Sequence, residues 1–211
     1  MIQRRLCAVL PLEGQEGAFH RATPLCRTCT TIQRMMEDRR IDIEVDGIPF
    51  ISHGHYYDGI NNWLCHQLKE NDPQAIEYCA RQLAGMLPEN AVIVPIPGHH
   101  GFADQTLSLA KAISSYSEGR VPVANVLKGK DRDSNYQAKK AGHPLSAEDM
   151  GFRQVGILPH GKVPCLLDNC VDSGETAKAA YHAIGNRGVV LTYAMSDTLL
   201  PERQESVRMC R

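Results

Sequence analysis

This chain of 211 residues has almost no net charge, formally −1 from 23 Lys and Arg against 24 Asp and Glu. A protein that neutralises nucleic-acid phosphates carries a basic excess, so the balance offers no overall electrostatic footprint for DNA or RNA. A local patch of Lys128, Lys130, Arg132, Lys139 and Lys140 remains, but nucleic acid is not an expected partner. Long apolar runs are also missing at the start. Met1 to Leu12 carries Arg4 and Arg5 and a short apolar run broken by Pro11, so neither a signal peptide nor a membrane span is expected there. No membrane partner and a cytoplasmic location follow as expectations. Low-complexity segments and internal repeats are absent. The 8 cysteines then read as reduced thiols rather than a disulfide framework. Only one Cys-x-x-Cys pair occurs, Cys26-Arg27-Thr28-Cys29. A tetrahedral Zn²⁺ site on Cys26 and Cys29 would need Cys7, His20, Cys65 or His66 to complete it, and spacing selects none of them. Two thiols packed or exposed in an irregular segment is the other account.

What is present is ordinary core material, with 43% hydrophobic and 22% charged residues, enough for one domain with a small appendage. Pro11, Gly14, Gly17 and Pro24 break up the first forty residues before a short helix expected over 30–39. Residues 42–45 and 49–57 alternate and flank Asp46-Gly47, a hairpin signal. Helices are expected over 61–69 and 73–87, the second opening on Pro73 and placing Ile76, Cys79, Ala80, Leu83 and Leu87 at helical spacing. From there strands over 91–96, 121–127, 163–167 and 189–194 alternate with helices over 104–116 and 176–184, and a long polar loop follows Leu127. This alternation predicts an α/β fold, a parallel sheet flanked by helices. The expected division is an irregular and β-hairpin appendage over 1–57 and an α/β domain over 58–211. His53 and His55 alternate on the hairpin strand, as a metal pair or simply a polar strand face.

The most informative stretch is 163–176, Val-Pro-Cys-Leu-Leu-Asp-Asn-Cys-Val-Asp-Ser-Gly-Glu-Thr. An apolar strand meets the polar pair Asp168 and Asn169, then a Ser-Gly turn and a helix. Amides at such a turn, backed by the helix dipole, can cradle a phosphate, and the Ser173 and Thr176 hydroxyls add donors. Glu175 in the same turn repels an anion unless it points away. An ordinary strand-turn-helix junction with Ser and Asp caps is the alternative.

This spacing resembles the phosphoribosyl pyrophosphate (PRPP) motif of type I phosphoribosyltransferases. The order Tyr56-Tyr57-Asp58-Gly59, Leu68-Lys69, Val94-Pro95-Ile96-Pro97, Gly101-Phe102-Ala103-Asp104-Gln105, Ser134 to Lys139 and Gly151-Phe152 is similar to the ComF-like branch, over about residues 50–195. Two departures stand out, Asn169 where the family has an acidic residue and no Arg before Gly101-Phe102.

The resemblance implies a transferase that displaces pyrophosphate from PRPP with a nucleobase or related amine, with Mg²⁺ neutralising the leaving group. It implies that Asp168 and Asn169 face the ribose, with Asp168 near Mg²⁺, and that Ser173, Gly174, Glu175 and Thr176 wrap the 5′-phosphate. Asp172 would accept a proton near the base. Pro97, Gly98, His99, His100 and Gly101 would meet pyrophosphate, the two imidazoles gaining strength on protonation. Lys128, Lys130 and Arg132 would head a loop that closes over the ligand; a solvated charged loop is the plainer account. Tyr193 is read either as a base-stacking ring or as core. Family members often carry a zinc module built from two Cys pairs, which is where Cys26 and Cys29 would belong. Three readings stay open: the enzyme; a degenerate nucleotide sensor or interaction module linked to DNA uptake or a mobile element; and a zinc-bearing nucleic-acid protein. The acceptor and the oligomeric state are also open.

Overall fold

The structure, a computed structural model, describes residues 40–199. The expected helix over 30–39 and the Cys26–Cys29 pair lie outside them. The described chain opens with strands β1 (Ile41–Val45) and β2 (Ile48–His55), joined by a two-residue turn in which Asp46 and Gly47 have φ of 51° and 77°. Both turn residues need a left-handed backbone, which is why an Asp-Gly pair sits there. Helices α1 (Asn61–Lys69) and α2 (Pro73–Ala84) follow; Asp72 caps α2 by accepting from the Ala75 amide at 2.8 Å, with Pro73 in the first turn. Then come β3 (Ala91–Pro95), α3 (Asp104–Tyr116), the short ribbon strands β4 (Leu127–Lys128) and β5 (Arg153–Gln154) with α4 (Asn135–Lys140) between them, β6 (Val163–Val171), α5 (Glu175–Ala183) and β7 (Val189–Met195).

The main sheet runs β1-β2-β7-β6-β3, with every neighbour parallel except the β1–β2 hairpin. The α/β class with a mostly parallel sheet is therefore as expected. The hairpin is not an appendage, however. β2 pairs along β7 from Phe50 to His55, so a division at residue 57 would cut through one continuous sheet. Residues 121–127 are a second difference. Pro122 has no amide to donate, and the segment makes a single parallel bridge, Val123 to Ile93, at the edge of β3.

Both faces of the sheet are covered, which is why its strands read as unbroken apolar runs. On one face Ile93, Cys165, Leu167 and Leu191 pack against Leu64 and Leu68 of α1, Leu83 of α2 and Leu109 and Ile113 of α3. On the other Phe50, Val92, Val94, Leu166 and Val190 meet Ala177 and Ala180 of α5.

One row of polar residues crosses the sheet near its carboxyl end: Ser52, Thr192 and Asp168, neighbours on β2, β7 and β6. Each ties its side chain to its own strand. Ser52 donates to Gly54 O at 2.9 Å, Thr192 to Ala194 O at 3.1 Å, and Asp168 Oδ1 accepts from the Asn169 amide at 2.8 Å. Past this row the strands twist over, so that Tyr193 and Ala194 both pack on the α1 side while Met195 turns to the α5 side. The carboxyl rim is thereby separated from the apolar body of the sheet.

Candidate functional site

Ligands in open α/β sheets bind outside the carboxyl ends of the strands, and the polar groups of this chain gather there. After β6 the chain turns through Asp172, Ser173 and Gly174 into α5. Gly174 has φ +81°, a conformation that favours glycine, and a Cβ there would lie 3.3 Å from Leu199 Cδ2, a tight contact. None of the amides of residues 173–176 donates to another described residue. They form a run of open donors at the positive end of a nine-residue helix. Glu175 leaves this turn unobstructed. Its carboxylate accepts from the Ala147 amide at 3.1 Å and from Lys178 Nζ at 3.3 Å, so only its amide faces the turn. Lys178 is also held by Asp46 at 2.6 Å, which keeps the carboxylate on that side.

Asp168 and Asn169 part company. Burial pushes the Asp168 carboxyl up to about 6, with the Asn169 amide, Lys69, the Cys170 amide and Arg132 pulling the other way. Asn169 is 4% exposed, and its Oδ1 is buried without a hydrogen-bond partner among the described residues. Its side chain therefore does not reach the rim, and Asp168 alone stands where the resemblance implies a pair. Asp172 is exposed, receives Lys139 Nζ at 3.3 Å, and has its backbone carbonyl taken by the Thr198 hydroxyl at 2.8 Å.

The loop 97–101 follows β3, the neighbour of β6. Gly98 N donates to Phe102 O and Gly101 N to Gly98 O, while the carbonyls of Gly101 and His99 accept from Gly129 N and Arg132 N. The amides of His99 and His100 are left as donors toward an anion. The imidazoles lie 4.0 Å apart, and His100 Nδ1 meets Asp131 at 3.0 Å. Burial, then His100 and Arg132, lower the pKa of His99. In the absence of an anion, this environment disfavours the imidazolium of His99.

The long loop is more ordered than a solvated strand of charge. It folds back as the β4–β5 ribbon and carries α4, opened by a capping box of Ser134 and Gln137. Of its three leading cations only Arg132 turns to the site. Lys128 lies over the Phe102 ring at 5.0 Å, and Lys130 packs its methylenes over Gly151. Arg132 donates to Asn135 Oδ1 at 2.9 Å, and Asn135 in turn donates to Thr176 Oγ1 at 3.0 Å. Arg132 Nε is buried without a partner among the described residues, and burial lowers the guanidinium's pKa while Asp168 raises it. The loop thus connects His99, Asp168 and Thr176 in one network.

For three residues the sequence left two accounts, and the structure places each of them. Tyr193 is wholly buried and stacks on His53 at 5.0 Å, so it is core. His53 and His55 separate: the first joins Tyr193, while the second pairs with Asp197, with Nδ1 2.8 Å from Oδ1. Asp197 and Thr198 were not legible beside these residues, because nothing in their local pattern marks them, and Asn135 was legible only as part of the Ser134 to Lys139 segment. Among the described residues no group of three or more His, Cys, Asp or Glu is arranged to hold a metal, and no helix is long and apolar enough to cross a membrane. Neither protein-family models nor curated proteins give a match to this chain.

Proposed function

We propose that this chain binds PRPP with Mg²⁺ and transfers the phosphoribosyl group to a nucleobase or related amine, releasing pyrophosphate. The single observation that carries this reading is the turn 173–176: four unengaged amides at a helix start, next to a half-buried carboxylate and bridged by a basic loop. A phosphate fits the amides, a ribose hydroxyl fits Asp168, and a second anion fits between Arg132 and the His99 and His100 amides. Asp168 also suits Mg²⁺, since a cation would relieve the cost of its buried charge, and Mg²⁺ commonly takes one carboxylate with oxygens from the ligand. When bound, the ion offsets the charge of departing pyrophosphate. The protein's own part is positioning and exclusion of water: Thr176 and the turn fix the phosphate, Asp168 orients the ribose, and the 128–156 loop covers both. The free thiols of Cys65, Cys79, Cys165 and Cys170 suit a reducing cytoplasm.

A second reading, a nucleotide sensor without catalysis, is favoured by the burial of Asn169, which leaves the ribose with one carboxylate. Calorimetric titration with PRPP, with and without Mg²⁺, and then with ribose 5-phosphate separates the two. PRPP binding that strengthens with Mg²⁺ supports the enzyme; ribose 5-phosphate binding that is indifferent to Mg²⁺ supports the sensor. Binding of neither overturns both.

A further inference from the structure

His55 and Asp197 form a pair that the reading above leaves unused. Parallel pairing brings the ends of β2 and β7 level, His55 opposite Met195, so a carboxylate two residues past β7 meets the imidazole across 142 residues of sequence. The side chains are 32% and 24% exposed. A carboxylate accepting from Nδ1–H selects the tautomer whose Nε2 carries a lone pair, and that Nε2 has no partner among the described residues.

A clasp between strand ends would explain the pair, but its neighbours ask for more. Thr198, next to Asp197, donates to Asp172 O at 2.8 Å, which places the pair at the edge of the phosphate turn. Asp172, the carboxylate expected to take a proton, already receives Lys139 and lies largely in solvent. Tyr57, two residues beyond His55, is 74% exposed, its ring edge-on to Tyr56 at 5.0 Å. A base with an oriented lone pair and a bare aromatic face on the same rim match a flat acceptor carrying a ring N–H.

We propose that His55, oriented by Asp197, is the proton acceptor for an aromatic nitrogen heterocycle of the nucleobase class, with Tyr57 offering it a stacking face. This rests on the phosphoribosyl-transfer reading. The heterocycle nitrogen bonds to C1 of the phosphoribosyl group, and the C1–O bond breaks with its electron pair leaving on pyrophosphate. The ring proton moves to Nε2 of His55, Asp197 stabilises the imidazolium, and water then takes the proton away.

The test uses the full chain with PRPP and Mg²⁺, offering adenine, guanine, hypoxanthine, uracil and orotate in turn while pyrophosphate release is followed. With the best acceptor, His55→Ala is expected to slow release about 100-fold or more, the lower range for a positioned base. PRPP affinity should stay within about twofold, which also checks folding, and added imidazole should restore part of the rate. Asp197→Asn, which keeps a hydrogen bond but favours the other tautomer, should slow release with the same PRPP affinity. Wild-type rates in His55→Ala, or a loss that imidazole does not restore while Asp197→Asn is unaffected, would overturn the assignment of the base. PRPP binding without release for any of the five heterocycles would overturn the acceptor class. Failure of the wild type to bind PRPP is read separately by calorimetry and overturns the underlying reading instead.

Discussion

The turn at 172–176 and the loop at 97–101 stand at the ends of neighbouring parallel strands, yet they offer opposite chemistry. The turn presents amides, because Gly174 at φ +81° swings the chain into α5 before any of residues 173–176 finds a partner. The loop closes on itself through Gly98 and Gly101 and presents the carbonyls of His99 and Gly101, which the 128–156 segment takes up. The first leaves its amide donors open. The second receives the 128–156 segment, which brings Arg132 beside it. The number of backbone donors left unpaired separates the two: four amides over 173–176 against those of His99 and His100 in the loop.

Four experiments would break or sharpen this contrast. The largest effect is expected at Gly174→Val, which needs a left-handed β-branched residue and drives side-chain atoms toward Leu199. Affinity for ribose 5-phosphate should fall beyond about 100-fold in calorimetry, while the fold survives with a loss of roughly 1 to 3 kcal/mol. Unchanged affinity would remove the turn from the site. Gly101→Ala should do the reverse. Its Cβ would come within 2.6 Å of Gly129 O, so the covering loop must undock, at a comparable cost of roughly 1 to 3 kcal/mol. Hydrogen exchange at the Gly129 and Arg132 amides should then quicken while ribose 5-phosphate still binds, and equal loss of that ligand would mean the two regions act as one.

Asp168→Asn should weaken PRPP binding about tenfold and reduce its dependence on Mg²⁺, yet stabilise the free protein at neutral pH. The sign follows from the raised carboxyl. The unfolded chain gives up this proton near 4 and the folded chain near 6, so stability falls as pH rises between those values and levels off above. The variant escapes that loss, by on the order of 1 to 2 kcal/mol at pH 7 and by little at pH 3, in melts at the two pH values. A variant equally stabilised at both would show that burial of the charge is not the cause. The smallest effect belongs to Lys139→Ala. Its bridge to Asp172 joins side chains 67% and 57% exposed, so less than about 1 kcal/mol is expected, and less still at high salt. A larger change in thermal unfolding would make the bridge part of how the loop is held.

The sequence carried much of this architecture. The apolar strands over 91–95 and 189–195, the Pro-capped helix after Asp72, the Asp-Gly hairpin turn and the glycine before α5 are local patterns whose causes act within a few residues. The order within the candidate site was legible only where the chain is continuous. Asp168, Asp172 and Gly174 come from one strand-turn-helix unit and could be read together. Asn169 follows Cys165 and Leu167 at period two, but that this face is covered by α1 depends on the tertiary packing. The direction of Glu175 depends on Ala147 and Lys178, and the fate of three similar cations depends on Phe102, Gly151 and Asp168.

By itself, then, the sequence determined the alternation of strands and helices, the two buried faces of the sheet and the open amides of one turn, because propensity, periodicity and glycine conformation are short-range. Only the tertiary structure decided that the hairpin joins the sheet, that the covering loop binds carbonyls at 97–101, and that His55 meets Asp197. Those outcomes depend on which strand ends lie level after parallel pairing, and register between segments more than a hundred residues apart leaves no mark in the local pattern of either.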